Sequence, residues 1–436
     1  MNRTITPTRN NHRLYRLLRS LGPGIITGAS DDDPSGVATY TQAGASLGYA
    51  TLWTALVTFP MMAAVQLICA RIGLVTGKGI SSLLHQHYSA RISYPAVLAL
   101  VIANTINAGT DLGAIAAGIN LLLPVPILVL VGPIALLILL IQFFGSYRFI
   151  ARIFSWLSLA LFAYIGAAFC AKPDWPAVLK GTFLPTIRLD GMFVETLLAI
   201  CGTTISPYLF FWQASQEVEE KAHVEKRDRR KLTANAENLA NVAWDVNLGM
   251  LFSNVVMYFI ILATAATLHE SGQTDIQTAT EAAEALRPLA GGAATILFAL
   301  GLISTGFLTV PILTTSAAYA VAEVAHWKRH SLDQRPGQAK KFYFVIAVIT
   351  LIGLALNFTG INPMKALYWT AVINGFLAGP LLVLIMRIAN NKTIMKKSTN
   401  QPLLNILGWT TTVVMFLSAL SLVVTWIFPH FFSNGS

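Results

Sequence analysis

Asp31, Asp32 and Asp33 stand in a row ahead of Pro34, Ser35 and Gly36, inside sequence that is otherwise apolar. A carboxylate in the hydrocarbon of a bilayer costs roughly 3 kcal/mol on insertion scales, so three together need a partner. Pro34 removes a backbone donor and clashes with the preceding turn, which breaks a helix at that point. Backbone opened at membrane depth is tolerated only where protein or a water-filled cavity receives it. Carboxylates beside freed main-chain carbonyls make a hard-oxygen site, and the ligand of such a site is a cation. An anionic or zwitterionic ligand would take helix N-termini and glycines instead. Asp33 abuts the proline and is expected to face the site. Each residue is turned about 100° from the next on a helix, so Asp31 and Asp32 cannot both join Asp33 on one ion. At least one of them is expected to meet water, a helix end or a structural partner.

Other polar residues in apolar sequence are weaker candidates. Asp111, in "NTINAGTDLGAIAAG", reads as a proton relay or as a buried, hydrogen-bonded structural group. Asp245, in "NVAWDVNLG", reads as structural, and Asn374, in "VINGFLAGP", as a cavity lining or a core amide. His85 and His87 face apart if helical, which argues against metal ligation. Glu195 reads as an interface residue. Cys69, Cys170 and Cys201 have no CxxC spacing and read as inert apolar residues.

The elements that must position these residues are membrane helices. The chain has 436 residues, 55% hydrophobic and only 11% charged, with mean hydropathy +0.61. Soluble domains carry about 25% charged residues. Eleven spans are expected, at 18–46, 48–72, 94–121, 124–143, 151–171, 192–218, 237–267, 290–325, 342–357, 361–388 and 403–428. With the N-terminus cytoplasmic, 25 of the 30 Lys and Arg fall on the inside. That bias predicts a multi-pass protein of the cell (inner) membrane, N-terminus in and C-terminus out. The net charge of +10 is then a topology signal rather than a nucleic-acid footprint. The segment 219–237 reads as a solvated linker, and 269–285 as a polar external segment with a short surface helix.

The first span is interrupted at "DDDPSG" and the sixth at "TTISPY", Thr203 to Tyr208, each with a central proline. Five spans separate the breaks, so the two halves would have opposite topology. Paired interrupted helices point to an inverted-repeat transporter with its site where they meet. The organisation expected is an arm at 1–17, repeats at 18–171 and 192–388 joined by an external loop at 172–191, a cytoplasmic loop at 389–402, and 403–436 carrying the last span and a short tail.

"GPGIITG", "GASLGYATLW", "DLGAIAAGINLLL", "DVNLGM" and "LFALGLISTG" resemble the first, third, seventh and eighth helices of the Nramp family of divalent-metal transporters. The resemblance covers nearly the whole chain and implies an all-α, LeuT-type fold of eleven transmembrane helices in a 5+5 inverted repeat with helices 1 and 6 broken. It also implies a metal site built from Asp-Pro-Gly-Asn on span one and Met-Pro-His on span six. Here those motifs read Asp33-Pro34-Ser35-Gly36 and Ser206-Pro207-Tyr208, and the third-helix Asp-Leu-Ala-Glu reads Asp111-Leu112-Gly113-Ala114. The implied metal set is Asp33, the Thr203 backbone carbonyl and Ser206. Asp32, Ser35, Gly36, Tyr208 and Asn374 are its possible lining, with Asp111 a possible relay.

The substitutions carry physical consequences. A thioether favours transition metals over Mg²⁺, and a hydroxyl removes that filter. Gly36 and Ser206, smaller than Asn and Met, predict a larger, wetter cavity suited to Mg²⁺, which keeps several waters. Such features resemble the magnesium-transporter branch related to Nramp. A tyrosine phenol titrates near about pH 10 and Ala114 not at all, so proton coupling is expected to be weak or absent. The expected function is Mg²⁺ import, with Mn²⁺ as second substrate, by alternating access and without a cofactor. The partners are the cation and the bilayer, with no nucleic acid and no obligate protein partner. The alternative is a proton-coupled Mn²⁺/Fe²⁺ importer; an amino-acid permease of the same fold would want an uncharged, glycine-rich break. An enzyme is not expected, because Asp33 and Asp111 lack the Gly-x-Gly-Asp context of intramembrane aspartyl proteases.

Overall fold

The computed structural model describes residues 23–145, 158–188, 190–228, 236–327, 331–332 and 334–427. Chain order within these residues is helical throughout. The first half comprises α1 (Pro23–Asp31), α2 (Pro34–Leu47), α3 (Trp53–Thr76), α4 (Ile80–His87), α5 (Ala90–Leu122), α6 (Ile127–Phe144), α7 (Ala163–Cys170) and α8 (Trp175–Phe183). The second comprises α9 (Gly191–Thr204), α10 (Pro207–Asp228), α11 (Ala236–Thr264), α12 (Ala279–Ala283), α13 (Ala294–Val324), α14 (Lys340–Leu356), α15 (Pro363–Asn390) and α16 (Pro402–Ile427).

Nine segments among the described residues are long and apolar enough to cross a membrane. The α1–α2 pair is not one of them, because Pro34 divides it into two short helices. The expected span at 151–171 lies partly outside the described residues, as do the N-terminal arm and residues 428–436. The segment 219–237 is not a linker from its start, because α10 continues through Asp228. The polar segment 269–285 holds a short helix, α12, opened by a Thr278–Glu281 capping box. Helix α8 was not foreseen; Asp174 caps it and Pro176 follows at its start.

Packing divides the helices into two groups. Helices α1, α3, α10 and α11 pack on one another, and α5 lies along α13 and also meets α14 and α15. Glycine sets the closest approach. A methyl group at Gly28 of α1 would overlap the backbone of Gly249 on α11, and one at Gly249 would overlap Gly24. The two helices therefore touch backbone to backbone. Asp245 joins the same pair, since it accepts from Gly24 N at 2.7 Å at the start of α1. Large apolar side chains such as Leu98, Val129, Leu136 and Phe144 are exposed on the outer faces, where a bilayer would cover them.

Candidate cation site between two broken helices

The first break is made by Asp33 itself. Its extended backbone (φ −67°, ψ 168°) ends the run of α1 and caps α2. Asp33 Oδ1 accepts from Ser35 Oγ at 2.6 Å and from Gly36 N at 2.7 Å. One carboxylate oxygen is thus held by its own chain. The other, Oδ2, receives only long bonds, from Asn107 Nδ2 of α5 and Tyr208 Oη of α10, both at 3.4 Å. Bonds of that length are weak, so Oδ2 is the oxygen free to exchange them for an ion.

Asp31 and Asp32 turn the other way. Ser253 Oγ of α11 reaches Asp31 Oδ2 at 2.6 Å and Asp32 Oδ1 at 3.1 Å. All three aspartates are fully buried. The expectation that the row would divide, with a structural partner for part of it, holds: Asp33 faces α5 and α10, while its neighbours share a serine on α11.

The second break closes on itself. Ser206 Oγ donates to Thr203 O at 2.6 Å and to Gly202 O at 3.0 Å, across the last turn of α9. The Thr203 carbonyl keeps a second lone pair, but the Ser206 hydroxyl proton is committed to its own helix. Tyr208 bridges the two breaks, donating to Ser30 O at 2.8 Å, one of the carbonyls left over at the end of α1. Its own carbonyl accepts from Ser316 Oγ of α13 at 2.8 Å. The carbonyl ends of α1 and α9 both terminate here, each carrying a partial negative charge suited to a cation.

The wide cavity expected beside Gly36 is absent from that side of the site. A Cβ built on Gly36 would meet Thr203 Oγ1 at 3.0 Å and the Tyr40 ring edge at 3.3 Å. Neighbours have moved into the room that a small residue leaves, as dense packing requires. Ser35, Thr203, Ser206 and Tyr208 are all buried.

Asp111 lies one turn beyond Asn107 on the same face of α5, and neither of its carboxylate oxygens has a hydrogen-bond partner among the described residues. Asn374 is buried on α15, one turn past Thr370, which meets Thr110 of α5 at 3.3 Å. Its Nδ2 has no partner among the described residues. His85 and His87 lie on α4, away from the breaks. Asn107, which sequence reasoning passed over, is a neighbour of Asp33. Among the described residues no three His, Cys, Asp or Glu side chains converge as a metal-ligand cluster.

A family model described as natural resistance-associated macrophage protein-like (Nramp) matches residues 24–425. The chain belongs to the Nramp family. Members of the family are metal-ion transporters and not enzymes. Similar curated proteins include the divalent metal cation transporter MntH of Yersinia enterocolitica, 29% identical over 419 residues, covering 92% of this chain and 93% of that one. The protein of the same description from Mycobacterium tuberculosis is 27% identical over 410 residues, covering 92% and 90%. Among solved structures, a manganese transporter of Eremococcus coleocola superposes with TM-score 0.75 at 19% identity, over 100% of this chain and 92% of that one. Mhp1, a nucleobase-cation-symport-1 family transporter, superposes with TM-score 0.57 at 14% identity, over 94% and 93%. The Nramp chain therefore has the LeuT-type fold, and its two breaks are the interrupted helices of that fold.

Proposed function

We propose that the protein imports divalent cations by alternating access, Mg²⁺ first and Mn²⁺ second, with weak or no proton coupling. One observation carries the reading. Among the described residues the side chains that hydrogen-bond to Asp33 are Ser35, Asn107 and Tyr208, so the groups that meet the carboxylate are hydroxyls and an amide. Oxygen donors suit Mg²⁺ and Mn²⁺, and a set without a soft ligand gives no preference for later transition metals. The divalent-cation reading draws support from the names of the MntH relatives and of the manganese transporter. On the expected orientation, N-terminus cytoplasmic, the membrane potential drives import by about 2.3 kcal/mol per charge per 100 mV.

Asp33 with the Thr203 carbonyl forms the binding set, and Ser206 is a lesser contributor because its hydroxyl is engaged within α9. The repeats 18–171 and 192–388 would each give two spans to a bundle, spans one, two, six and seven (with α1, α3, α10 and α11), that rocks against the rest, α5 and α13 included. A second reading, proton-coupled Mn²⁺/Fe²⁺ import, is favoured by Asp111, whose two oxygens are unpartnered and buried one turn from Asn107.

Uptake into proteoliposomes, with internal dyes for Mg²⁺, Mn²⁺ and pH, separates the readings. Saturable Mg²⁺ uptake without matching acidification is the expected result. Mn²⁺ uptake alone, accompanied by protons, would replace it with the second reading. Ser206→Met tests ligand softness directly: uptake of Mn²⁺ or Cd²⁺ relative to Mg²⁺ is expected to rise, and an unchanged ratio removes the argument.

A further inference from the structure

We propose that Asn107 is a direct cation ligand, through its side-chain carbonyl oxygen, and sets the preference of the site for hard cations. The inference rests on reading Asp33 as the cation-binding carboxylate.

The amide of Asn107 has a weak partner at one end and, among the described residues, none at the other. Its Nδ2 donates to Asp33 Oδ2 at 3.4 Å. That bond orients the group, because the reverse orientation would set two acceptor oxygens against each other. Oδ1 is therefore the other arm of the same planar amide, and it has no hydrogen-bond partner among the described residues. The residue is fully buried. A buried carbonyl left without a donor costs about 1–3 kcal/mol, a penalty that a donor or a cation would lift. Thr203 Oγ1, also buried and unpartnered, lies across the break beside Gly36. The two neutral oxygens and Asp33 Oδ2 come from α5, α9 and the first break, three separate elements. A cation drawing on all three would tie them together. A role as mere support for Asp33 would use only Nδ2 and would leave Oδ1 idle.

Helix position adds a consequence. Asn107 and Asp111 are four residues apart on α5 and so share a face. An ion held by Asn107 has the Asp111 carboxyl one turn away on that face.

The test uses the full-length protein in proteoliposomes and compares Mg²⁺ with Cd²⁺ for Asn107→Ala and Asn107→Cys. A ligand role predicts that Asn107→Ala raises the half-saturating Mg²⁺ concentration roughly tenfold, in the range seen when groups supporting a metal are removed. It also predicts that Asn107→Cys, which offers a soft donor at the same place, raises the Cd²⁺ to Mg²⁺ uptake ratio roughly tenfold over Asn107→Ala. Parallel loss of both metals in the two variants, at an unchanged ratio, would overturn the ligand role and leave Asn107 a support for Asp33. Asp33→Ala serves as the control. Flux that survives it sinks the Asp33 reading and this inference together, whereas flux lost in it with an unchanged ratio in Asn107→Cys sinks this inference alone. Should the cysteine variant fail to purify in folded form, Asn107→Ser replaces it. The shorter hydroxyl is expected to keep the Mg²⁺ preference with weaker half-saturation and smaller thermal stabilisation by Mg²⁺, and wild-type values for both would overturn the proposal.

Discussion

The two breaks share a proline at a matching position and differ in how their polar groups are satisfied. At the first break Asp33 secures one oxygen within its own turn, while the other, together with Asp31 and Asp32, is handed to α5, α10 and α11. At the second, Ser206 returns its hydroxyl to the turn it came from, and Tyr208 reaches out to brace the first. One break supplies charge and the other supplies main chain. On the proposed reading, recognition at the first would be sensitive to side-chain identity, and at the second largely indifferent to it.

Substitutions can break that contrast. Asp33→Ala should have the largest effect, abolishing saturable divalent uptake with the protein still folded by size-exclusion and thermal unfolding; residual flux above a tenth of wild type, a loss of less than about 1.4 kcal/mol, would contradict the charged role. Tyr208→Phe removes the brace between the breaks and leaves Ser30 O without that donor. Uptake should fall several-fold at saturation, and wild-type rates would show that the breaks need no link. Ser253→Ala acts on stability, since it strips a shared donor from two buried carboxylates, a loss of about 1–3 kcal/mol, visible as a lowered melting temperature with half-saturation little changed. Ser206→Ala should do least, because it deletes a hydroxyl bonded only within its helix. Half-saturation within about twofold of wild type is expected, or about 0.4 kcal/mol, and a loss as deep as that of Asp33→Ala would mean the second break contributes side-chain chemistry after all.

The apolar helices, both helix interruptions and the carboxylate at the first were legible because each rests on local signals: apolar runs, a central proline and charge where hydrocarbon is expected. The division of the aspartate row was legible too, since the angle between successive residues on a helix follows from geometry alone. Asn107 was not. An asparagine in an apolar helix reads the same whether it faces a neighbour, a cavity or the site, and its link to Asp33 spans 74 positions. Ser253 is hidden for the same reason, 222 positions from Asp31. The cavity expected at Gly36 failed differently. Subtracting a side chain on paper leaves a void, whereas Tyr40 and Thr203 occupy the space in the folded chain.

The glycine contact between α1 and α11 bears on how the site could open. With main chain against main chain at Gly28 and Gly249, there is no layer of side chains to re-pack as one helix slides past the other. The start of α1 is also tethered through Asp245. A swing of α1 alone would strip that tether and leave a slot too narrow to refill, so the hinge lies outside the pair. The half-helix and its companion would travel as one lever, carrying Asp31, Asp32 and Ser253 along intact while Asp33, at the fulcrum, trades its hold on Asn107.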